Sequence, residues 1–537
     1  MYWTEQLFTI TVEDVPRTTP EGFRMTAVLD SIPPPTFASW TFARRATLGM
    51  TLASMAVALV RVATGPHLDG LVRIDNVTVL VLLLVSLVGS VVVRYSSKYL
   101  SGDAQEQRYV RRLLATLAAV TVVVVANNVL LLAAAWTATS LALHGLLTFF
   151  GDRPVAVAVA HKKFVLARIA DACMLGAVVA FGATYSTLRI DAIVARGVAA
   201  PELSWGARVG VFLVALAAVL KCAQLPFHGW LIQVMEAPTP VSALLHAGVV
   251  NLGGVVLLRL SGLVDRATET RVLLVVVGVA TAVIASLVMT TRVSVKVALA
   301  WSTCAQMGFM LMQCGLGIWE MALVHLMAHS VYKAHAFLGA GGTVRETQRR
   351  QLVSAEVAPS ARSIAIGSVV AVAGTAAVGG LWSVVPGTES LSAAAWLLLG
   401  IVALALVPLT TPFHRRGHSL LVARALAVPV VYVVLHEIAG RLVPHGASAP
   451  VALLVFAAIG FVSLFVVQAA FLVAPRGPLA LRVRPWIYAG LFLDEGFTRI
   501  AYSLARPPVA VDRAAPLPRS SFAPVLVVTT LSEMSDV

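Results

Sequence analysis

Apolar stretches of about 20 residues recur through most of this sequence, and a helix of that length is as long as a bilayer core is thick. Such a chain has few options. In hydrocarbon every backbone amide must find its partner within its own segment, so the stretches fold as membrane-spanning helices. Composition agrees, with 58% of the 537 residues hydrophobic and 12% charged, about half the charge of a soluble domain. About fourteen spans are expected, near 46–63, 75–95, 109–126, 128–149, 163–184, 208–225, 240–262, 271–291, 295–315, 319–342, 362–384, 391–412, 419–441 and 451–473. The expected fold class is an all-α polytopic membrane protein.

The net charge of +14 reads as topology. Its lysines and arginines cluster in loops, and no basic stripe carries the interleaved aromatics of a nucleic-acid groove. Arg94, Lys98, Arg108, Arg111 and Arg112 follow the second span. Alternate later loops carry Arg345, Arg349 and Arg350, then Arg415 and Arg416, then Arg476, Arg482 and Arg484. The positive-inside rule then places both termini in the cytoplasm. Residues 1–45 read as an N-terminal extension without a clean signal sequence, 46–126 as N-terminal helices, 346–474 as C-terminal helices and 475–537 as a cytoplasmic tail. Within that tail, Trp486 to Leu504 forms an amphipathic piece. Cys173, Cys222, Cys304 and Cys314 all lie in apolar segments without a CxxC pair, and read as small buried hydrophobes.

Charge inside a membrane span costs several kcal/mol and marks function by default. Such residues crowd the middle of this chain. In HKKFVLARIADACM, Arg168 and Asp171 are three apart and can neutralise each other, while Lys162 and Lys163 serve either a polar path or as snorkelling anchors. Lys221, at the end of FLVALAAVLK, follows a long apolar run; burial disfavours its charged form, which suits a proton carrier, with a quiet ion pair as the alternative. In APTPVSALLHAGVV, Pro238 and Pro240 interrupt a regular helix and His246 follows two turns later, a relay group beside a break. Lys296 opens the ninth span and is either a helix-end anchor or a further carrier. His325, His329 and Lys333 follow at i+4 steps, one face of the tenth span and a stack suited to stepwise proton hopping. The two histidines could also hold a metal, but there is no HExxH pattern or third ligand, and Lys333 would stay unexplained. His436 and Glu437 begin like a zinc motif without its second histidine and read as structural. No phosphate loop, dinucleotide fingerprint or nucleophile elbow is present, and no metal or cofactor is expected.

KKFVLARIADACM, VLKCAQLPFHGWLIQVMEAPTPVSALLHAG, SVKVALAWSTCAQMGFM and HLMAHSVYKAHAFLGAGG resemble the antiporter-like subunits of respiratory complex I and of Mrp sodium/proton antiporters. LDGLVRID, RYSSKYL and NNVLLLAAAW extend the likeness over roughly residues 69–345. The resemblance implies inverted five-helix repeats with broken helices, and an antiporter-like core over 127–345. It implies that Lys221 is the central lysine of a first half-channel with His246 beside it, that Lys296 connects the halves, and that His325, His329 and Lys333 serve the second. Asp75, Lys163, Arg168 and Asp171 fall on recurrent family positions. Two departures stand out. Thr137 occupies the place of a glutamate that pairs with the first lysine, and GGLWSVVPGTES, where a later broken helix would carry a lysine, offers only Glu389.

Length, the shortened C-terminal half and RPWIYAGLFLDEGFTR resemble a shorter branch, the DabB-type subunits of inorganic-carbon accumulation complexes. That likeness implies a cell inner-membrane subunit conducting H+ or Na+. Its implied partner is a DabA-like zinc protein, similar to carbonic anhydrases, on the cytoplasmic face, with Trp486 to Arg499 as a docking element. The alternatives are a complex I or Mrp-type antiporter subunit, or a non-conducting membrane anchor.

Overall fold

The structure, a computed structural model, describes residues 37–150, 153–343, 359–388, 390–411, 418–443 and 446–504. Arg345, Arg349, Arg350, Arg415, Arg416 and Glu389, all invoked from the sequence, lie outside these residues. Each of the fourteen expected spans falls on helix. In chain order these are α1 (Phe37–Thr64), α2 (Asn76–Tyr99), α3 (Glu106–Val125), α4 (Val129–Leu147) and α5 (Pro154–Tyr185). A short surface helix α6 (Ile190–Ala199) precedes α7 (Trp205–Lys221), α8 (Gly229–Gln233), α9 (Thr239–Ala247), α10 (Leu252–Arg259) and α11 (Ser261–Val264). Then come α12 (Thr268–Met289), α13 (Val295–Leu316), α14 (Trp319–Leu338), α15 (Ala361–Trp382), α16 (Ala393–Thr410), α17 (His418–Gly440), α18 (Val451–Val473), α19 (Pro478–Tyr488) and α20 (Leu493–Leu504). Eleven spans among the described residues are long and apolar enough to cross a membrane by length and composition. α3, α7 and α14 complete the fourteen: α7 is shorter, and α3 and α14 carry more polar side chains.

Several boundaries differ from expectation. Residues 37–45 belong to α1, so the extension is shorter than the sequence indicated. The piece from Trp486 to Leu504 is two helices, with Leu491 in the left-handed region between them. GGLWSVVPGTES is the end of α15 and the turn after it, and α16 runs on as one helix with Pro408 inside.

The breaks lie in the middle of the chain. α7 stops at Lys221, and the chain turns through Cys222–His228 before α8. The prolines do not break a helix. Pro238 caps α9 and Pro240 sits in its first turn, where its missing amide costs nothing. The interruption comes at Gly248 (φ −129°, ψ −69°), two residues after His246, followed by a tight turn over Val249–Asn251. A Cβ at Gly248 would meet Leu244 O at 2.9 Å, so glycine permits the kink. This α9–α10 segment is almost wholly buried, whereas only about a fifth of α18 is. Broken backbone is tolerated at membrane depth only when enclosed by protein or lining a wet cavity. By contrast Val62, Val369, Val451 and Ile459 on α1, α15 and α18 are exposed, as lipid-facing residues are.

Both described ends lie at the same face. Trp40, near the start of α1, donates to Glu106 at the start of α3 (2.9 Å), and Lys162 near the start of α5 pairs with Asp494 of α20. This is the face that carries Arg94, Lys98, Arg108 and Arg111, and it is called the basic face below.

At the opposite face a two-stranded hairpin, β1 (His67–Leu68) and β2 (Arg73–Ile74), leads into α2. Asp75 caps that helix. Its Oδ1 accepts from Thr78 N (2.8 Å) and Thr78 Oγ1 (2.7 Å), and its Oδ2 from Arg73 Nε (2.6 Å). Arg259, buried at the end of α10, donates to Thr78 Oγ1 (2.8 Å) and to Val124 O, tying three helices at one point. Burial alone would raise the Asp75 carboxyl, but the Arg259 and Arg73 guanidiniums and the Thr78 hydrogen bonds outweigh it and hold it below its ordinary value.

α12 and α13 pack against each other through glycines. A Cβ on Gly278 would lie 2.6 Å from Gly308 O and 2.7 Å from Met312 N. Gly278→Val is therefore expected to lower stability in detergent by roughly 1–3 kcal/mol, read from thermal unfolding. Asp75→Ala should cost about 1–2 kcal/mol near neutral pH, and Asp75→Ser should recover part of it. Because the folded-state carboxyl is held low, its stabilisation is complete above about pH 4 and is lost as pH falls below that. The gap between wild type and Asp75→Ala should then close in acid-range unfolding curves.

Candidate functional site

Three helices bring the first group of polar side chains together. On α4, Trp136 and Ser140 are one turn apart and share a face. Lys163, on α5, donates through Nζ to Ser140 O at 2.8 Å. Lys221, in the last turn of α7, donates through Nζ to Ser140 Oγ at 2.9 Å and lies 4.5 Å from the centre of the Trp136 ring. Both lysines are buried, and among the described residues neither has a carboxylate within 4 Å. Thr137, half-buried, stands one position further round α4. Two features help to hold positive charge here: the carbonyl-rich C-terminus of α7 and the electron-rich face of Trp136. A cavity of about 20 Å³, room for one water, is lined by Ser140, Lys163, Lys221, Trp230 and Val249.

Arg168 and Asp171 pair across one turn of α5 at 2.7 Å, as their spacing indicated. Asp171 stands two turns along from Lys163, within electrostatic reach of both lysines. Lys162 points the other way, toward α20.

The second group surrounds His246. Its Nδ1 lies 3.1 Å from Thr303 Oγ1 on α13, and its ring stacks on Phe337 of α14 at 4.3 Å and 18°. Thr303 Oγ1 donates to Leu299 O (3.0 Å), and Lys333 Nζ donates to the same carbonyl (3.0 Å). His246 and Lys333 are thus joined through one hydroxyl and one carbonyl. With the threonine hydroxyl committed to Leu299 O, Nδ1 of His246 is the donor and Nε2 carries the free lone pair. That Nε2 is buried and makes no hydrogen bond to a described residue.

Along α14 the expected stack is present. The His329 ring lies 6.0 Å from that of His325, and neither of its nitrogens has a described partner. His325 Nδ1 meets Gln313 Oε1 at 2.9 Å. Near the start of α14, Glu320 pairs with His436 of α17 at 3.4 Å, and Glu437 pairs with Arg441 within α17. No group of three His, Cys, Asp or Glu side chains among the described residues could hold a metal.

The helix break separates the two groups. Val249 lines the small cavity beside Lys163 and Lys221, and also a second one of about 30 Å³ bounded by Asn251, Leu326 and Ser330 on the other side. Asn251 Nδ2 donates across this second side to Ser330 Oγ at 2.7 Å.

The structure thus gathers Lys163 and Lys221 in one place, and His246, His325, His329 and Lys333 in another. Lys296 lies outside both. It is half-buried in the first turn of α13 and donates to Thr239 Oγ1 at 2.9 Å, while Leu299 and Thr303, further along the same helix, touch the second group. Asp75 is at the far face as a helix cap. Sequence reasoning missed Ser140, Thr303, Gln313, Glu320 and the Lys162–Asp494 pair. Ser140 left one trace, a polar residue one turn from Trp136 in an apolar span. The others depend on which helices meet.

Comparison with known proteins fits this architecture. The family model described as NADH:quinone oxidoreductase/Mrp antiporter, TM, matches residues 126–439, and that for the complex I chain 5 N-terminus matches 63–110. A probable inorganic carbon transporter subunit DabB of Hydrogenovibrio crunogenus is 41% identical over 80% of this chain and 82% of its own. DabB2 of Halothiobacillus neapolitanus is 38% identical over 86% and 85%. NADH-quinone oxidoreductase subunit L of Mycobacterium tuberculosis is 35% identical over 54% of this chain and 46% of its own. Among solved structures, the Mrp complex from Dietzia sp. DQ12-45-1b shares the fold at TM-score 0.51 and 23% identity, covering 88% of this chain and 57% of that one. An archaeal membrane-bound sulfane sulfur reductase does so at TM-score 0.52 and 19% identity, covering 83% and 93%. The chain is an integral membrane protein of many helices and belongs to the DabB family of inorganic carbon transporter subunits, within the larger NADH:quinone oxidoreductase/Mrp antiporter membrane family.

Proposed function

We propose that the chain conducts protons across the membrane and that this flow drives accumulation of inorganic carbon by a complex of which it is the membrane subunit. The observation that carries the reading is the meeting of Lys163 and Lys221 on Ser140 with no acid within ion-pair distance among the described residues. Two ammonium groups on one residue, in a low-dielectric interior, repel strongly. The pair holds one positive charge more easily than two, so a proton arriving from one side favours release to the other. From there the route runs past the α9–α10 break to His246. It crosses Thr303 and the Leu299 carbonyl to Lys333, and leaves along His329 and His325. The void that Ser140, Lys163 and Lys221 touch has room for one bridging water beside the break.

Amines and imidazoles line this route, which favours H+ over Na+, since a hard cation takes oxygen ligands. The basic face is the cytoplasmic side in this reading, and the membrane is the cell inner membrane. The relatives' name, inorganic carbon transporter subunit, supports bicarbonate accumulation as the output. The catalytic step then falls to a partner, a zinc protein of carbonic-anhydrase type on the cytoplasmic face. The exposed Trp486, Tyr488 and Phe492 offer that partner a surface. The inward side of α20 does not, because Asp494 is engaged with the protein's own helices.

Expressed with its neighbouring partner gene in cells lacking carbonic anhydrase, the wild-type chain is expected to restore growth in air and Lys221→Ala to abolish it. Rescue by Lys221→Ala at the wild-type level would leave the non-conducting anchor as the answer. His329→Gln should lower proton flux into proteoliposomes about tenfold or more, because it removes a carrier while keeping the packing. Lys296→Ala, whose side chain lies outside both groups, should cost far less in the same assay.

A further inference from the structure

At the basic face the last described helix turns back beneath the bundle. Asp494, in the first turn of α20, inserts between α5 and α8. Its Oδ1 accepts from Lys162 Nζ and its Oδ2 from Gln233 Nε2 (2.6 Å), while Lys162 also donates to Thr498 Oγ1 (2.6 Å). The Lys162 side chain is wholly buried, although Asp494 keeps 22% of its side-chain surface exposed to solvent. The surroundings fit this insertion. A Cβ on Gly229 would lie 1.5 Å from Asp494 Oδ1, so only glycine admits the carboxylate there. Phe497 packs edge-on against Phe227 at 5.2 Å, and Lys162 Nζ lies 5.6 Å from the centre of the Phe497 ring. His228, next to Gly229, is 1% exposed, its Nδ1 has no described partner, and it is within electrostatic reach of both Asp494 and Lys162.

These contacts seat the tail on the segments that flank the first lysine site. Lys162 and Lys163 are consecutive on α5, one held by Asp494 and the other by Ser140. The turn carrying His228 begins directly after Lys221, and Trp230, two residues on, lines the cavity between the lysines. α4 supplies no acid here, because Val129–Leu147 contains no Asp or Glu. Asp494 is mostly enclosed but keeps part of its carboxylate side chain in contact with solvent, as a group that exchanges protons with solution must.

We propose that Asp494, delivered by the C-terminal helix, is the acid of the first half-path and exchanges protons between the basic-face solution and the Lys163–Ser140–Lys221 site by way of His228. A proton from hydronium adds to the Asp494 carboxylate. It then passes to the free imidazole nitrogen of His228 as the carboxylate re-forms, and Lys162 stays an ammonium throughout to balance that carboxylate. The charged or titratable groups facing Asp494 are Lys162 from α5, His228 from the turn before α8 and Glu495 beside it on α20, with Gln233 and Thr498 as neutral partners. The exchange requires α20 to be docked, so the tail is a working part of the path. This inference rests on the proton-conduction reading.

The test uses the full chain purified with the subunits it assembles with, in proteoliposomes holding a pH-sensitive dye. Wild type is compared with Asp494→Asn, Asp494→Glu, Gly229→Ala and Lys221→Ala. Asp494→Asn keeps the shape and the neutral hydrogen bonds. It is expected to lower flux about tenfold and to flatten the dependence of flux on basic-face pH. Asp494→Glu should restore most of both. Gly229→Ala, which keeps the carboxylate but displaces it, should resemble Asp494→Asn, and it reads the same step if Asp494→Asn fails to assemble. Flux within twofold of wild type in Asp494→Asn, or the wild-type pH profile at reduced amplitude, would overturn the assignment. Lys221→Ala separates the two readings. If it abolishes flux while Asp494→Asn conducts normally, only the role of the tail is wrong; if it conducts normally too, conduction itself falls.

Discussion

Charge in a hydrocarbon interior is tolerated only where the protein supplies dipoles to replace water, and in this chain the replacement centres on Ser140. Its carbonyl and hydroxyl each take one buried lysine. For both amines to reach one residue, α4, α5 and α7 must converge, and α7 must end where Lys221 can use the carbonyl-rich end of its own helix. Trp136 closes the site with a π face, whereas an acid would have locked the lysine in an ion pair. A locked pair is stable but slow to give up its proton. A lysine held by a hydroxyl and a ring keeps its position and remains free to change charge.

The second group works on the same principle with different parts. His246, Thr303, the Leu299 carbonyl and Lys333 form a connected set in which each donor has one acceptor, and the remaining lone pair is on His246 Nε2. That set depends on the kink at Gly248. A continuous helix through 239–259 would carry its side chains past one another at a fixed pitch. The kink instead gives Val249 a wall in both voids and lets Asn251 reach Ser330. Broken backbone is costly in lipid, which explains why this segment is enclosed while unbroken helices such as α1, α15, α17 and α18 are the least buried spans.

The C-terminal helices buttress this core and also reach into it. α17 meets the start of α14 through His436 and Glu320, and α20 inserts Asp494 at the opposite face. Residues from late in the chain therefore make polar contacts with the core helices at both faces of the bundle. An amphipathic tail that sequence inspection reads as a surface for another protein has one side already occupied by its own bundle.

Much of this was legible in the residues. Apolar length located all fourteen helices, because spanning a bilayer fixes segment length regardless of context. Rarity of charge in such segments singled out Lys163, Lys221, His246, His325, His329 and Lys333, and i+4 spacing put the last three on one face. Local chemistry misled where two local readings compete. Pro238 and Pro240 serve equally as breakers or as first-turn residues, and only the fold decides that they start α9 and that the break falls at Gly248. The pairings were hidden for a different reason. Ser140 lies 81 residues from Lys221, and Asp494 lies 332 from Lys162, and nothing along the chain encodes those meetings. Sequence alone determined which groups must be shielded from lipid. Tertiary packing decided what shields them, because contact between helices depends on how their surfaces fit.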